Sequence, residues 1–134
     1  MGDGFEVTVL TRGRPSTDFP TGVTTKKVDY EFIESLKEAL TGNDAVICTL
    51  TSFAGGIQPA LIDAASAVGV KRFMPSEFGT SIYGHDEKSF LKKAMTGKAK
   101  IISYLQGKAE ENQNFTWTAL SNGFFFDSVR DTLQ

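Results

Sequence analysis

The feature of this chain that most limits its fold is an apolar pattern that switches repeatedly between two periods. Residues 5–10 (FEVTVL) are β-branched and aromatic and predict a strand. Residues 11–22 hold Gly13, Pro15, Pro20 and Gly22 among serines and threonines and predict a loop. Residues 23–28 predict a second strand, polar enough for a sheet edge. Over 30–40 the apolar residues Phe32, Leu36 and Leu40 recur every fourth position, with Gly42 beyond them as a stop signal, so this is an amphipathic helix.

The alternation continues to the end. Residues 45–50 (AVICTL) form a nearly continuous apolar run, as a strand buried on both faces requires. A loop follows over 51–56, then a helix over 58–68 with Leu61, Ile62, Ala65 and Val68 on one side. Residues 71–74 make a short strand ending at Pro75, a polar loop spans 76–88, and a long helix runs from about 90 to 112. Residues 115–120 alternate as a strand does, while 121–134 fit no period. Single strands separated by helices imply parallel strands and crossover connections, hence an α/β, doubly wound parallel sheet. Such sheets bind ligands at the carboxyl ends of their strands, so the residues just after each strand carry the functional weight.

Composition narrows the classes. With 14 Lys+Arg against 16 Asp+Glu and a net charge of −2, no strong field draws in nucleic acid or an anionic membrane. No stretch approaches the roughly 20 apolar residues of a membrane span. One cysteine forms no internal disulfide, which fits a reducing compartment, and residues 1–4 lack the pattern of a secretory signal. A soluble, cytoplasmic domain is the expectation, with the oligomeric state open. Cys48 falls mid-strand and is expected to be inert core, and His85 is expected at the surface.

After the first strand come Thr11, Arg12, Arg14 and Ser16, with no carboxylate among them. In dinucleotide-binding folds an acidic residue near this point selects NAD. Arginine forks with hydroxyl donors suit a 2′-phosphate instead. A solvated turn fits the same residues. On the long helix, Lys98 shares a stripe with Leu91, Ala94, Ile101, Leu105 and Ala109, whereas Lys100 points elsewhere. A lysine in an apolar stripe either snorkels to water or is held inside for a purpose.

The string Lys71-Arg72-Phe73-Met74-Pro75-Ser76-Glu77-Phe78-Gly79, taken with Thr11-Arg12 and Lys98, resembles the NmrA-like and isoflavone-reductase-like branch of the atypical short-chain dehydrogenases. The resemblance runs in the family's order through 28–30, 44–47, 61–65 and 115–119, and fungal-type members are the most similar. It implies an NAD(P)-binding Rossmann domain with NADP(H) as cofactor. It also implies that Lys98 is the catalytic lysine, acting as base or proton donor beside the nicotinamide. Thr11, Arg12, Arg14 and Ser16 would face the 2′-phosphate. Ser52 and Phe53, Pro75, Ser76, Glu77 and Phe78, and Asn122, Gly123 and Phe124 would line the cofactor and substrate pocket. Two readings stay open at family level: a reductase passing hydride to a small organic substrate, and a non-catalytic NAD(P)-sensing regulator.

The family's glycine-rich phosphate loop has no match here. Residues 3–7 resemble the junction leading out of the first helix, so the expectation is a partial domain lacking its first strand, loop and helix, about 30 residues, and followed by no substrate domain. In the strand order 3-2-1-4-5-6 the first strand is central, so the strands at 5–10 and 45–50 must either pair directly or leave an open edge. Weak or absent NADPH binding by the chain alone is the corresponding expectation, and an inactive fragment is the third reading.

Overall fold

The structure, a computed structural model, describes residues 4–13, 19–50, 56–79 and 90–123, the side chains of 90–95 excepted. Its elements follow the predicted order: β1 (Val7–Thr11), β2 (Val23–Lys27), α1 (Ile33–Leu40), β3 (Ala45–Ile47), α2 (Ile57–Ala67), β4 (Arg72–Met74), α3 (Phe90–Glu111) and β5 (Thr116–Trp117). Among the described residues every strand pairing is parallel, as the helix links α2 and α3 require for β3, β4 and β5. Val7 lies opposite Val23 in the first ladder; Ala45 lies opposite Arg72, and Arg72 opposite Thr116, in the second.

Helix α1 packs on α2, and α2 on α3, so the three helices lie side by side against the strands. Leu36 and Leu40 from α1, Leu61, Ile62, Ala64 and Ala65 from α2, and Ile101 and Leu105 from α3 converge with Phe73 of β4 and Phe115 in one core. The two phenylalanine rings sit 6.3 Å apart in a tilted arrangement. Helix α1 ends where the sequence says it should: Gly42 takes φ +81°, and the last carbonyls find donors in the Asn43 amide and the Lys26 ammonium, 3.0 Å from the Ala39 oxygen. Cys48 is buried, and β2 is an edge strand, both as expected.

Two expectations need correction, and a pair of alternatives is decided. Phe32 was placed on the buried stripe of α1, yet it precedes the helix as its N-cap and is 60% exposed. The third strand is not buried on both faces: Cys48 beyond it is enclosed, but Ile47 is 65% exposed, because among the described residues only one side of β3 is covered. Strands β1 and β3 do not pair. Each is the edge of a separate sheet, β1-β2 on one side and β3-β4-β5 on the other, so the open-edge alternative holds.

The open edge of β1 is partly capped. The Thr11 carbonyl bonds to Val28 of the neighbouring chain segment, so the Leu10 carbonyl points the other way. The Tyr30 hydroxyl, on the segment between β2 and α1, donates to that Leu10 oxygen at 3.2 Å. Among the described residues no helix is long and apolar enough to cross a membrane.

Candidate functional site

The residues that follow the strands gather along one edge of the fold. At one end, a cleft of about 470 Å³ is lined by Arg12 after β1, Lys27, Val28, Asp29, Tyr30 and Glu31 at the end of β2, and Ile57 at the start of α2. Gly13 makes it possible for two cations to meet there. Its φ of +98° turns the chain sharply after Arg12, and a Cβ at this position would lie 2.5 Å from the Lys27 Cε. The Lys27 stem therefore lies across the bare glycine, and its ammonium reaches the Arg12 turn. The Arg12 guanidinium stacks 5.9 Å over the Tyr30 ring. Burial pushes the Tyr30 phenol up from its ordinary value, against the pull of the Arg12 charge.

No carboxylate adjoins Arg12 in the sequence, yet the same geometry brings two to the cleft. Asp29 and Glu31 line the cleft as well, having reached it from β2 rather than from the loop after β1. Asp29 is engaged locally, accepting from the Glu31 N–H at 2.9 Å. Lys27 and Tyr30 are functional candidates that sequence reading missed. The signal available was the polar end of an edge strand, which looks the same whether it faces solvent or a cleft.

At the other end, Pro75, Ser76, Glu77, Phe78 and Gly79 form the turn after β4, and this turn is held from three sides. The Gln58 side chain on α2 accepts from the Ser76 N–H at 3.1 Å, and the Ser76 hydroxyl donates to the Leu50 carbonyl after β3 at 2.6 Å. The Glu77 N–H bonds back to the Pro75 carbonyl at 2.8 Å. The Gly79 carbonyl accepts from the Gly123 N–H and the Ser121 hydroxyl, both at 2.9 Å, which fastens the segment after β5 to the same turn. Pro75 is fully buried, and Asn122 is exposed between its two anchors.

Lys98 of α3 completes this end. Its ammonium stands 3.8 Å from Glu77 Oε2, with both side chains largely enclosed, and lies above Gly79, whose added Cβ would be 3.7 Å away. Burial raises the Glu77 carboxyl above its ordinary value, while the Lys98 charge pulls it down. Among the described residues Glu77 Oε1 is the one buried side-chain polar atom without a hydrogen-bond partner. The structure thus brings Pro75, Ser76, Glu77, Phe78, Lys98 and Gly123 together, and sets Thr11 and Arg12 at the other end of the edge. Ile57 lines the cleft and its neighbour Gln58 holds Ser76, so the first turn of α2 joins the two ends. Arg14, Ser16, Ser52, Phe53 and Phe124 lie outside the described residues, as does His85.

Comparison with known proteins identifies the family and the fold. The family model described as NmrA-like matches residues 1–133. Oxidoreductase aprR of Aspergillus flavus is 37% identical over 124 residues, which are 92% of this chain and 41% of that protein. A crystal structure of isoflavone reductase matches with a TM-score of 0.69 at 26% identity, covering 87% of this chain and 40% of that one. AtPrR2, solved with NADP+ and (+)-pinoresinol, matches with a TM-score of 0.68 at 24% identity, covering 88% of this chain and 42% of that one, and this likeness shows the Rossmann-type fold. The chain spans well under half the length of these proteins. With a family model matching nearly all of its residues, and the Lys98 and Pro75–Gly79 geometry in place, the chain belongs to the NmrA-like family.

Proposed function

We propose that this chain forms the cofactor-facing edge of an NADP(H)-dependent reductase acting on a small organic substrate. The observation that carries the reading is the pairing of two differently built ends on one edge of the fold: a two-cation cleft at Arg12 and Lys27, and a largely enclosed lysine at Lys98. The residues fit the group. Arg12 offers a planar fork for the 2′-phosphate, Thr11 adds a hydroxyl, and Lys27 adds a second charge made available by the bare backbone of Gly13. Arg14 and Ser16 are assigned to this end, and Ser52, Phe53 and Phe124 to the pocket, on family resemblance. At the nicotinamide end, Pro75, Ser76, Phe78, Asn122 and Gly123 wall the site and Lys98 gives or takes a proton at its Nζ. When bound, NADP(H) supplies the hydride.

The two ends make a test that needs no turnover. A charge-assisted arginine–phosphate contact is worth roughly 1.5–3 kcal/mol, about tenfold or more in affinity. The chain is expected to prefer 2′,5′-ADP over 5′-AMP by about that factor, and Arg12→Ala to erase most of the preference. Equal affinity for the two nucleotides, measured by calorimetric titration, would remove the NADP reading. NADPH itself is expected to bind weakly, since the described residues supply its two ends and no glycine-rich cradle for the pyrophosphate between them.

A further inference from the structure

Carboxylates are seldom buried without a partner, because desolvation of the charge must be offset. Glu77 is 5% exposed, and one of its oxygens has no hydrogen-bond partner among the described residues. Its backbone, in contrast, is among the most constrained in the site: Gln58, Leu50 and Pro75 all bond to its turn. Lys98 has the opposite character. It carries a compact charge on a flexible four-carbon stem, and a helix fixes only the root of that stem. At 3.8 Å the pair is in ionic contact. Among the described residues no second charged side chain is in ion-pair range of either group.

We infer that Glu77 is the positioning residue of this site: its carboxylate, enclosed on a fixed turn, holds the Lys98 ammonium over Gly79, and does not itself contact the reacting atoms. The inference rests on the proposal that Lys98 handles the proton, and it gives the buried carboxylate a task that ligand contact does not explain. An enclosed anion facing the end of a longer stem sets where the cation sits. Gly79 leaves the space beneath Lys98 Nζ open, with a φ of +151° that a side chain rarely adopts. Lys98 is thereby aimed along the strand edge without being filled in from below.

The test uses the whole chain with isotope-labelled lysine and glutamate. The Lys98 side-chain resonance is expected to stand apart from those of the solvated lysines. In Glu77→Gln it should merge with them, and in Glu77→Asp it should recover part of its displacement. Should Glu77→Gln fail to fold, Lys98→Met gives the reciprocal reading, with the Glu77 carboxyl titrating at higher pH once the ammonium is gone. A Lys98 signal unmoved by Gln, or a Glu77 titration unmoved by Met, overturns the positioning role. NADPH in excess separates this result from the functional reading. A Lys98 signal that NADPH shifts equally in wild type and Glu77→Gln keeps the reductase reading and removes the positioning role. A signal that depends on Glu77 and does not respond to NADPH at a concentration that calorimetry shows to occupy the site keeps the pair and removes the proton-handling reading.

Discussion

The two sheets are assembled from the same parallel ladders, yet they bury their strands differently. In the three-stranded sheet β4 has a neighbour on each side; Phe73 at its centre is fully buried, and Phe115, just before β5, is almost as enclosed. In the two-stranded sheet no residue of β1 is fully buried, and Val7 is 38% exposed. Strand β3 belongs to the larger sheet but sits at its open edge, and its Ile47 is the most exposed large apolar residue in any strand among the described residues. Burial of a parallel strand thus depends on its position in the sheet more than on its composition. The two halves are joined through helix α1 packed on α2 and not through a shared ladder.

The sharpest way to break this contrast is to truncate one side chain in each sheet. Phe73→Ala removes a large ring from a closed core, which is expected to cost about 3–5 kcal/mol. Val9→Ala in β1, a partly exposed position, is expected to cost about 1 kcal/mol. Urea unfolding followed by far-ultraviolet circular dichroism would show the difference as a displaced midpoint. Equal losses would mean that the two-stranded sheet is as tightly packed as the other.

A smaller effect, and one confined to the three-stranded half, comes from Glu77. Burial holds its carboxyl above the ordinary value of 4.5. The folded chain therefore binds the proton more tightly than the unfolded chain does, so this group's contribution is fully present below about pH 4.5 and is lost as pH rises through the folded value. Melting temperature should fall with pH across that window. Glu77→Gln should flatten the slope, and Lys98→Met should extend it upward. The same slope in all three proteins would place the pH sensitivity elsewhere.

Much of this architecture is legible in the sequence because period and punctuation agree. Gly42 stops α1, Pro75 ends β4, and the string from Lys71 to Gly79 marks the turn that meets Lys98. Sequence also offered an open edge at two strands, and among the described residues β1 and β3 do lie at the edges of separate sheets. What it could not supply were distances across the chain. Lys27 reaches Gly13 and Tyr30 reaches Leu10 only because β1 and β2 pair in register, and no local pattern encodes that meeting. Phe32 shows the reverse error: its spacing matched the helical stripe, but the helix begins one residue later and leaves it outside. Ile47 shows a third kind, since an apolar run looks the same whether its second face is covered or bare.

Tyr30 offers the finest test of how the open edge is managed. Its hydroxyl donates to the Leu10 carbonyl, on the side of β1 that has no strand beside it among the described residues, while its ring supports Arg12. Tyr30→Phe keeps the ring and removes only the donor. Because Leu10 is only partly buried, water can replace part of the lost bond, and the expected cost is about 1 kcal/mol or less. The same change should leave the preference for 2′,5′-ADP over 5′-AMP intact, since the surface beneath Arg12 is preserved. Replacement by leucine should lose both, because the guanidinium then has no aromatic face to rest on. A Phe variant that discards the nucleotide preference would show that the hydroxyl, by fixing β1, sets Arg12 as well. In that case the cap on the open edge and the two-cation cleft would be one device, not two neighbours.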